Sequence, residues 1–287
     1  MNMLQSMNEC IEYIEKNMNQ KIELSVLARK SLSSKFHFQR MFHMLTGYTI
    51  AEYIRKRRLT LAAQELTNTK TKVINVALKY GYETPESFSK AFRRVHGISP
   101  SQVRDSNVSL VAFPRITFHI SLKGEKEMNY KIIKKDSFKV LGKGIKVPMV
   151  KEESRAYILK FREELQQESV DKQILSITGE KDLLGLIMDI DHEREEFTYF
   201  IGAIVSDHED LKNYEQREIS STSWAVFESI GAMPDAVSKV WDRIYTEWFP
   251  STGYEQLSGI PEIELIPPGD DKNPNYRCEI WIPIKKK

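Results

Sequence analysis

Two stretches of the chain carry side chains of the types that contact DNA. Arginine can form a bidentate pair with guanine and glutamine with adenine, whereas serine and lysine can bind a backbone phosphate. These side chains lie on the outer faces of two amphipathic runs: Ser34, Lys35, Gln39 and Arg40 in the first, and Glu86, Ser87, Lys90 and Arg93 in the second. Glu86 leaves two interpretations open, since a glutamate can accept from cytosine N4 or can simply favour a helix start. The spacing predicts two DNA-reading surfaces on one chain.

Each run follows a shorter helix and a turn, which is the order of elements in a helix-turn-helix. The first motif extends from Leu24 through a turn at 31–33 into a helix over 34–45. The second has its turn at Gly81 and its second helix from about Pro85 to Val95. The second helix of such a motif enters the major groove, and we call it the reading helix. Two tandem motifs therefore predict that one chain reads two successive grooves.

Two further helices are expected to hold these motifs in place. Apolar residues recur at helical spacing from Leu4 to Met18, which predicts an amphipathic first helix. A longer helix begins at Thr49 or a neighbour and links the motifs through Leu66. It contains the basic block Arg55–Arg58, for which two interpretations stay open: contact with phosphate, or solvated charge of which a part only frames the fold.

Charge is unevenly divided along the 287 residues. Residues 1–106 contain 17 Lys and Arg against 9 Asp and Glu, whereas the remainder contains 25 against 31. The net charge of the whole chain is only +2 and identifies no partner by itself. An excess of positive charge in one half is typical of a nucleic-acid-binding module, and it predicts a different task for the acidic half. The length is sufficient for two domains with separate cores.

Composition argues against several classes of protein. Cys10 and Cys278 are the only cysteines, so a disulfide framework or a cysteine-rich metal site cannot form. No uninterrupted apolar run approaches the ~18 residues of a membrane span, and the first ten residues lack the pattern of a signal peptide. The six histidines are scattered without a helix-spaced pair. We therefore expect a cytoplasmic protein with no metal site, no cofactor and no catalytic residue.

Roughly the first 105 residues resemble the AraC/XylS family of bacterial transcription regulators. The resemblance rests on LARKSLSSKFHFQRMFHMLTGYTIAEYIRKRRLTLAAQEL, ALKYGYETPESFSKAFRRVHGISPSQVR and the closing turn GISP at 97–100. It implies an all-α, seven-helix DNA-binding domain over residues 1–106 that contacts two adjacent major grooves. By position, the base-reading places of the family fall on Phe36, Gln39 and Arg40, and near Pro85, Glu86 and Lys90. Periodicity alone gives Phe36 core spacing, and Pro85 and Glu86 are weaker base readers than amides.

The remainder of the chain predicts an α+β domain preceded by a linker at 107–127. Within that linker, SLVAFPRITFHISL has strand character, which leaves open a packed arm instead of a free tether. Beyond it, two similar stretches begin at Asn129 and Asn213, each with strand signals, a turn containing proline, a helix and two further strand-like runs. This pattern indicates an internal duplication of a β-α-β-β unit. It predicts one antiparallel sheet over 128–287 with helices on one face.

Two late strands of this domain carry acidic and aromatic residues. In PEIELIPP, alternation places Glu262 and Glu264 on one face, and in NYRCEIWIP, Glu279 and Trp281 share the face opposite Tyr276. A buried glutamate among aromatic rings favours cationic, apolar ligands. The pattern alone favours a simpler interpretation, in which the glutamates lie on a solvated sheet face and the tryptophans belong to the core. The candidate effector-binding residues are Trp224, Trp241, Glu264, Tyr276, Glu279 and Trp281.

Residues 128–287 resemble the GyrI-like effector-binding domain. The resemblance rests on WAVFESIGAMPDAVSKVWDRIYTEWFPSTGYE, PEIELIPPGD and NYRCEIWIPI. It implies two pseudo-symmetric halves around a cleft for lipophilic, often cationic, small molecules. Multidrug-sensing relatives hold the cation with a glutamate in a tyrosine-lined cavity. The matching place here is Glu264, with Tyr276 as one wall and Glu279 as a second acidic candidate. The DNA-reading domain comes first, which is the Rob-like order.

These features together predict a sequence-specific transcription regulator controlled by a small effector. Its expected partners are double-stranded promoter DNA, the effector and RNA polymerase, with the chain acting as a monomer or a dimer. Two alternatives stay open: a hydrolase that uses Glu264 or Glu279 with Tyr276 as acid and base, and a binder that sequesters a xenobiotic. No nucleophile elbow, zinc-protease motif or phosphate loop accompanies these residues, so the hydrolase rests on analogy.

Overall fold

The computed structural model describes residues 3–104, 108–118, 127–206 and 213–287. The chain divides into two compact units: unit 1 comprises Met1–Lys35 and Ile50–Leu122, and unit 2 comprises Phe36–Thr49 and Lys123–Lys287. This division differs from the sequence-based boundaries chiefly in grouping residues 36–49 with unit 2. The boundaries 1–106 and 128–287 stay predictions.

The first part of the chain is entirely helical, as predicted. Its helices are α1 (Met3–Lys16), α2 (Leu24–Lys30), α3 (Lys35–Thr46), α4 (Ile50–Asn68), α5 (Val73–Lys79) and α6 (Pro85–His96), followed by a 3-10 turn at Pro100–Arg104. The two helix-turn-helix motifs correspond to α2–α3 and α5–α6, and the linking helix is α4. Within the described residues, no helix combines the length and the hydropathy of a membrane span.

Unit 1 is built on the apolar faces of amphipathic helices. In α1, Met7, Ile11 and Ile14 are buried, as their helical spacing requires. A second cluster joins α4, α5 and α6 through apolar residues that include Leu59, Ala62, Leu66, Val76, Phe88 and Phe92. Each large side chain buried in this way contributes about 1.5–3 kcal/mol. The cluster determines which face of α6 is left to solvent.

The second reading helix, α6, begins and ends at residues suited to those positions. The Thr84 side chain accepts a hydrogen bond from the Ser87 backbone N–H at 3.1 Å, and Pro85 lies in the first turn. Gly97 ends the helix with a φ of 75°, a left-handed conformation that glycine adopts without steric cost. The local sequence therefore defines both ends of this helix.

The basic block of α4 is used inside unit 1. Arg57 forms an ion pair with Glu15 of α1, with N–O distances of 2.8 and 2.6 Å. Arg58 donates to the backbone carbonyls of Met18 and Gln20, which follow α1 in the chain. Arg57 and Arg58 therefore frame the fold, as one of the two interpretations of this block proposed.

Residues 108–118 form a packed arm, not a free tether. The Phe113 N–H donates to Thr60 Oγ1 at 3.0 Å, and Arg57 donates to the Phe113 carbonyl at 2.7 Å. Asn8 bonds both the N–H and the carbonyl of Phe118, at 3.0 and 2.9 Å. The backbone of this segment is thus held by α1 and α4. Residues 107 and 119–126 of the predicted linker lie outside the described residues.

Unit 2 contains one antiparallel sheet with helices. The strands are β1 (Tyr130–Lys135), β2 (Phe138–Pro148), β3 (Leu183–Asp191), β4 (Glu196–Val205), β5 (Glu215–Ile219), β6 (Thr222–Ile230), β7 (Tyr254–Gln256), β8 (Glu262–Ile266) and β9 (Arg277–Lys286). Its further helices are α7 (Lys151–Gln167), α8 (Val170–Thr178), α9 (Asp235–Arg243), a π-helical turn at Ile244–Trp248 and α10 (Phe249–Ser251). The strand order is β1-β6-β9-β8-β3-β4-β2-β5, with β7 paired to β9.

The topology of this sheet is an internal duplication. In the first half β2 leads through α7 and α8 to β3 and β4, and in the second β6 leads through α9 and α10 to β8 and β9. The two halves have the same spatial order, β2-β4-β3 and β6-β9-β8, and they meet where β3 pairs with β8. The α+β class and the antiparallel sheet predicted from the sequence are confirmed.

The sheet curls until its two ends approach each other. β1 lies at one end of the strand order, yet only residues 136–137 separate it from β2 near the other end. A connection of this length spans roughly 10 Å. One core cluster accordingly joins Val140, Ile219 and Trp224 near the ends to Leu186 and Ile263 at the centre. This cluster marks the inner face of the sheet, whereas the helices cover the outer face.

Candidate functional site

The central strand β8 carries two carboxylates on the helix-covered face of the sheet. Glu262, Glu264 and Ile266 alternate with Ile263 and Leu265, which belong to the inner-face cluster. Glu262 is only 1% exposed, whereas Glu264 is partly accessible. A carboxylate beneath helices is costly unless it has hydrogen-bond or charge partners. The partners of these two glutamates therefore define the chemistry of the face.

Glu264 lies in a polar and aromatic setting. Trp241 of α9 donates from Nε1 to Glu264 Oε1 at 3.0 Å. Burial raises the pKa of Glu264 above its ordinary value, while the Trp241 hydrogen bond and the Arg162 guanidinium act in the opposite direction. Gly185 of β3 pairs directly with Glu264, and a Cβ there would lie 2.8 Å from the Tyr199 hydroxyl oxygen. The glycine leaves room for that tyrosine beside the carboxylate.

A cavity of about 410 Å³ opens beside this centre, and α7, α8 and the segment 266–276 contribute its walls. Leu165, Leu175, Ile201 and Ile266 form an apolar part of the wall. Six charged residues, three cationic and three acidic, also line it. The volume is in the range of small-molecule sites. Glu264 does not line the cavity itself, but Arg162 does, and its charge acts on Glu264.

Arg162 is the cation that links the cavity to Glu264. Its side chain is 18% exposed, and its guanidinium lies 4.0 Å from Asp271 Oδ2. Burial lowers the pKa of Arg162, and its neighbours, including Tyr199 and Glu264, raise it by more. Arg162 is not among the effector-binding residues predicted from the sequence. Its position between Phe161 and Leu165, both buried, is the local signal that could have indicated a charge turned toward the interior of α7.

Three of the six predicted effector residues lie on this side of the sheet. Trp241 and Glu264 are hydrogen-bonded to each other, and Tyr276 lines the cavity. The Tyr276 hydroxyl donates to the Pro267 carbonyl at 2.6 Å. The Tyr276 ring therefore forms part of the cavity wall, while its hydroxyl proton is already used in the hydrogen bond to the backbone.

The other three predicted effector residues lie on the inner face. The strand register pairs Trp281 with Ile263 and Glu279 with Leu265. Trp224 is fully buried, with its ring 6.1 Å from that of Trp281, and Trp281 Nε1 donates to Glu279 at 2.8 Å. The sheet itself thus separates these side chains from Glu264.

Glu262 forms an ion pair with an arginine from the segment 36–49 of the same unit. Arg40 of α3 donates to both carboxylate oxygens, and its Nε lies 2.6 Å from Glu262 Oε1. The two side chains are 7% and 1% exposed. Burial lowers the pKa of Arg40, and the adjacent Glu262 raises it by more, so the arginine stays charged. Sequence patterns do not show this pair because 222 positions separate its members.

The other predicted contact residues near α3 are more accessible than Arg40. Lys35 is exposed, and Ser34, Phe36 and Gln39 are partly exposed. The Phe36 ring makes an edge contact with His192, with centroids 6.2 Å apart. Of the residues expected to read bases in the first motif, Arg40 is the one held inside unit 2.

The second reading helix presents its predicted residues to solvent. Glu86, Ser87, Lys90 and Arg93 are all exposed. Glu86, Lys90 and Arg93 also line a shallow groove together with Arg94. Cations in such a position can neutralise phosphates, which supplies sequence-independent affinity for DNA.

Two family models match the chain. The one described as "Helix-turn-helix domain" matches residues 27–106, and the one described as "Integron-associated effector binding protein" (Cass2) matches residues 131–284. The second match spans more than half of the chain.

Relatives of the first part are named as regulators. The HTH-type transcriptional activator AarP of Providencia stuartii is 41% identical over 100 residues, which are 35% of this chain and 74% of that protein. The regulatory protein SoxS of Salmonella typhimurium is 43% identical over 94 residues, which are 33% of this chain and 88% of that protein.

A solved structure resembles the second part in fold. It is a protein bound to tetraphenylphosphonium, with a TM-score of 0.50 and 22% identity, covering 55% of this chain and 94% of that one. At this identity the likeness shows the fold alone.

Proposed function

The chain belongs to the AraC-type helix-turn-helix transcription regulators and carries a Cass2/GyrI-like effector-binding domain; on that premise we propose that a lipophilic cation bound by the second domain controls its binding to promoter DNA. In this proposal residues 1–106 bind DNA, 107–127 connect, and 128–287 bind the effector. Contact with RNA polymerase and the number of chains on the DNA stay predictions.

The exposed face of α6 supports the DNA part of the proposal. Lys90 and Arg93 are placed to neutralise phosphates, and Ser87 lies in the first turn, where backbone N–H groups also favour an anion. Glu86 shares that turn, and either role left open for it by the sequence is compatible with its exposure. We propose that this helix supplies more phosphate contact than base readout.

The placement of Glu264 carries the effector part of the proposal. It is a partly accessible carboxylate that accepts from Trp241. Ile266, two residues further on the same face of β8, and Arg162, whose charge acts on Glu264, line the cavity of about 410 Å³. A lipophilic cation gains from apolar walls, from an aromatic ring and from a carboxylate with few competing waters. The tetraphenylphosphonium complex of a protein with this fold supports the choice of ligand class.

The geometry argues against a hydrolase that uses Tyr276 or Glu279 as its acid or base. Acid–base catalysis would need the Glu264 carboxylate and a free aromatic hydroxyl near the same ligand atom. The Tyr276 hydroxyl instead donates to the Pro267 carbonyl, and Glu279 lies on the other face of the sheet. We therefore assign no catalytic role to these residues in the proposed function.

Calorimetric titration of the full chain with tetraphenylphosphonium tests the effector site. Glu264→Gln keeps the size and removes the charge, and we expect about tenfold weaker binding or more, because a partly desolvated charge contact contributes about 1.5–3 kcal/mol. Glu228→Gln is the matched control, since Glu228 forms an exposed pair with Arg277 at 2.6 Å; its binding should stay within about twofold of wild type. If Glu279→Gln weakens binding and Glu264→Gln does not, the ligand binds the inner face and the assignment is wrong.

A further inference from the structure

A closed polar network surrounds the buried Arg40–Glu262 pair. Tyr245 donates from its hydroxyl to Glu262 Oε1 at 3.1 Å and lies 2.7 Å from Gln256 Oε1. Gln256 donates from Nε2 to the same Glu262 oxygen at 2.5 Å. The Arg40 guanidinium also lies 5.9 Å from the ring centroids of both Trp241 and Tyr245. Arg40 thus occupies a pocket with a carboxylate at its base and aromatic walls.

A buried ion pair of this kind adds little to the free energy of folding, but breaking it is costly. Two buried charges recover little more than their desolvation cost, but removal of one partner leaves the other charge unpaired in an apolar setting. Glu262 therefore requires a cation, and residue 40 supplies it. While the pair is formed, the guanidinium cannot also contact a base.

Contacts on either side of Arg40 hold the rest of the segment 36–49 in unit 2. The Gln256 backbone N–H donates to His37 Nδ1 at 3.2 Å, and the His37 ring lies 4.7 Å from that of Phe249. At the other end, Thr49 donates from Oγ1 to Glu195 at 2.7 Å. The reading helix of the first motif is thus attached near its start and at its middle, and the residues that follow it are attached at Thr49.

The pocket of Arg40 is directly connected to the proposed effector site. Glu262 and Glu264 are two positions apart on the same face of β8. Trp241 donates to Glu264 and stacks on Tyr245, with centroids 6.3 Å apart and planes inclined by 17°. Tyr245 in turn donates to Glu262. A ligand that repositions Glu264 or Trp241 therefore disturbs the wall and the base of the Arg40 pocket.

We infer that the Glu262 pocket of unit 2 is a docking site for the first reading helix, α3, and that docking withholds Arg40 from DNA until an effector engages Glu264. The consequence for DNA rests on the proposed function, whereas docking is a property of unit 2. An effector can release α3 only if it binds the released form more tightly than the docked form. A bound cation that displaces Trp241 from Tyr245 would weaken the Arg40 pocket, and this gives the effector its higher affinity for the released form.

Hydrogen exchange of the full chain tests docking without DNA. In Glu262→Gln, Arg40 loses its counter-charge, and we expect the backbone amides of α3 to exchange at least about tenfold faster than in wild type, with α6 unchanged. Tyr245→Phe removes one donor to Glu262 but keeps the ion pair, so a smaller acceleration is expected even if Glu262→Gln fails to fold. Glu228→Gln is the control and should leave α3 unchanged. Saturating tetraphenylphosphonium should accelerate α3 exchange in wild type.

DNA binding by the same full-length proteins tests the withholding of Arg40. Duplexes enriched from a random pool by Glu262→Gln serve as the probe, at one fixed salt concentration. We expect wild type to bind them at least about tenfold more weakly than the variant, and tetraphenylphosphonium to narrow that difference. Glu228→Gln should bind as wild type does.

The outcomes separate the inference from the proposed function. Equal α3 exchange in wild type, Glu262→Gln and Tyr245→Phe would overturn docking. Faster α3 exchange without a gain in DNA affinity would overturn the withholding of Arg40, and unchanged exchange with bound tetraphenylphosphonium would overturn release by the effector. If neither Glu262→Gln nor wild type, put through the same selection, enriches any duplex, the proposed function fails, while the exchange data still decide whether α3 docks.

Discussion

Acid should weaken unit 2, because His37 in the segment 36–49 and His192 next to it in unit 2 are held in their neutral form. His37 is 2% exposed, and its Nδ1 accepts a hydrogen bond from the Gln256 N–H. Burial lowers the pKa of His37 to about 4. Burial, with a smaller effect of Arg40, also lowers the pKa of His192 to about 4. Protonation of either ring would place a second cation near the Arg40 pocket.

The sign and size of the effect follow from proton linkage. In the unfolded chain a histidine has a pKa near 6.5, so between pH 6.5 and pH 4 the unfolded state binds the proton that the folded state excludes. The stability of the folded state is therefore complete above pH 6.5 and is lost as the pH falls through this window. Between pH 7 and pH 5 the loss is about 2 kcal/mol for each such histidine.

Urea unfolding followed by tryptophan fluorescence measures this loss in unit 2, because all four tryptophans of the chain lie there. His37→Asn keeps an acceptor close to the position of Nδ1 and removes the titration. From pH 7 to pH 5 the free energy of unfolding of wild type should fall by about 2 kcal/mol more than that of the variant. Glu264, whose pKa is raised, acts in the opposite sense but equally in both proteins. Identical pH dependence in the two proteins would refute the reasoning.

Three further substitutions test the packing and the DNA surface. Gly142→Ala should destabilise unit 2 by about 3 kcal/mol or more in urea unfolding, because its Cβ would lie 2.0 Å from a carbonyl oxygen of β4; Gly253→Ala, with open space around it, should cost less than ~0.5 kcal/mol. Arg57→Met should destabilise unit 1 by about 3 kcal/mol, since the poorly exposed Glu15 keeps its hydrogen bond from Tyr53 but loses its ion-pair partner, and unchanged hydrogen exchange in α1 would contradict this. Arg93→Ala should weaken binding to all selected duplexes alike and reduce the salt slope by about 1, whereas a sequence-dependent loss would make Arg93 a base reader.

Local periodicity is sufficient to place the elements that carry both surfaces. In α6, the buried Phe88 and the exposed Lys90 follow from helical spacing, and Thr84 and Gly97 mark its ends. In β8, strict alternation assigns Glu264 to the face opposite Ile263. Each of these features depends only on residues a few positions apart, which is the range over which sequence patterns are informative.

The parts of the site that the sequence does not reveal depend on long-range pairing. Whether Trp281 and Glu264 share a face is decided by the register between β8 and β9, and that register places Trp281 opposite Ile263. The partners of Arg40 and Arg57 are likewise distant in sequence, at Glu262 and Glu15. A cationic side chain on an amphipathic helix has the same local pattern whether it contacts phosphate or a carboxylate of its own chain.

The two carboxylates of β8 show how one strand face can serve both the chain and a ligand. At Glu262 the cation comes from the protein, and Arg40 lies between the carboxylate and the rings of Trp241 and Tyr245. At Glu264 the same indole, Trp241, donates a hydrogen bond and carries no charge. Burial raises the pKa of the Glu264 carboxyl. A lipophilic cation bound at Glu264 would receive the combination of negative charge and aromatic surface that Arg40 receives two residues away. Trp241 contacts Arg40 and would also contact the bound effector, so binding at one site should change the affinity of the other. This shared indole is the physical reason to expect that the effector and the first reading helix compete.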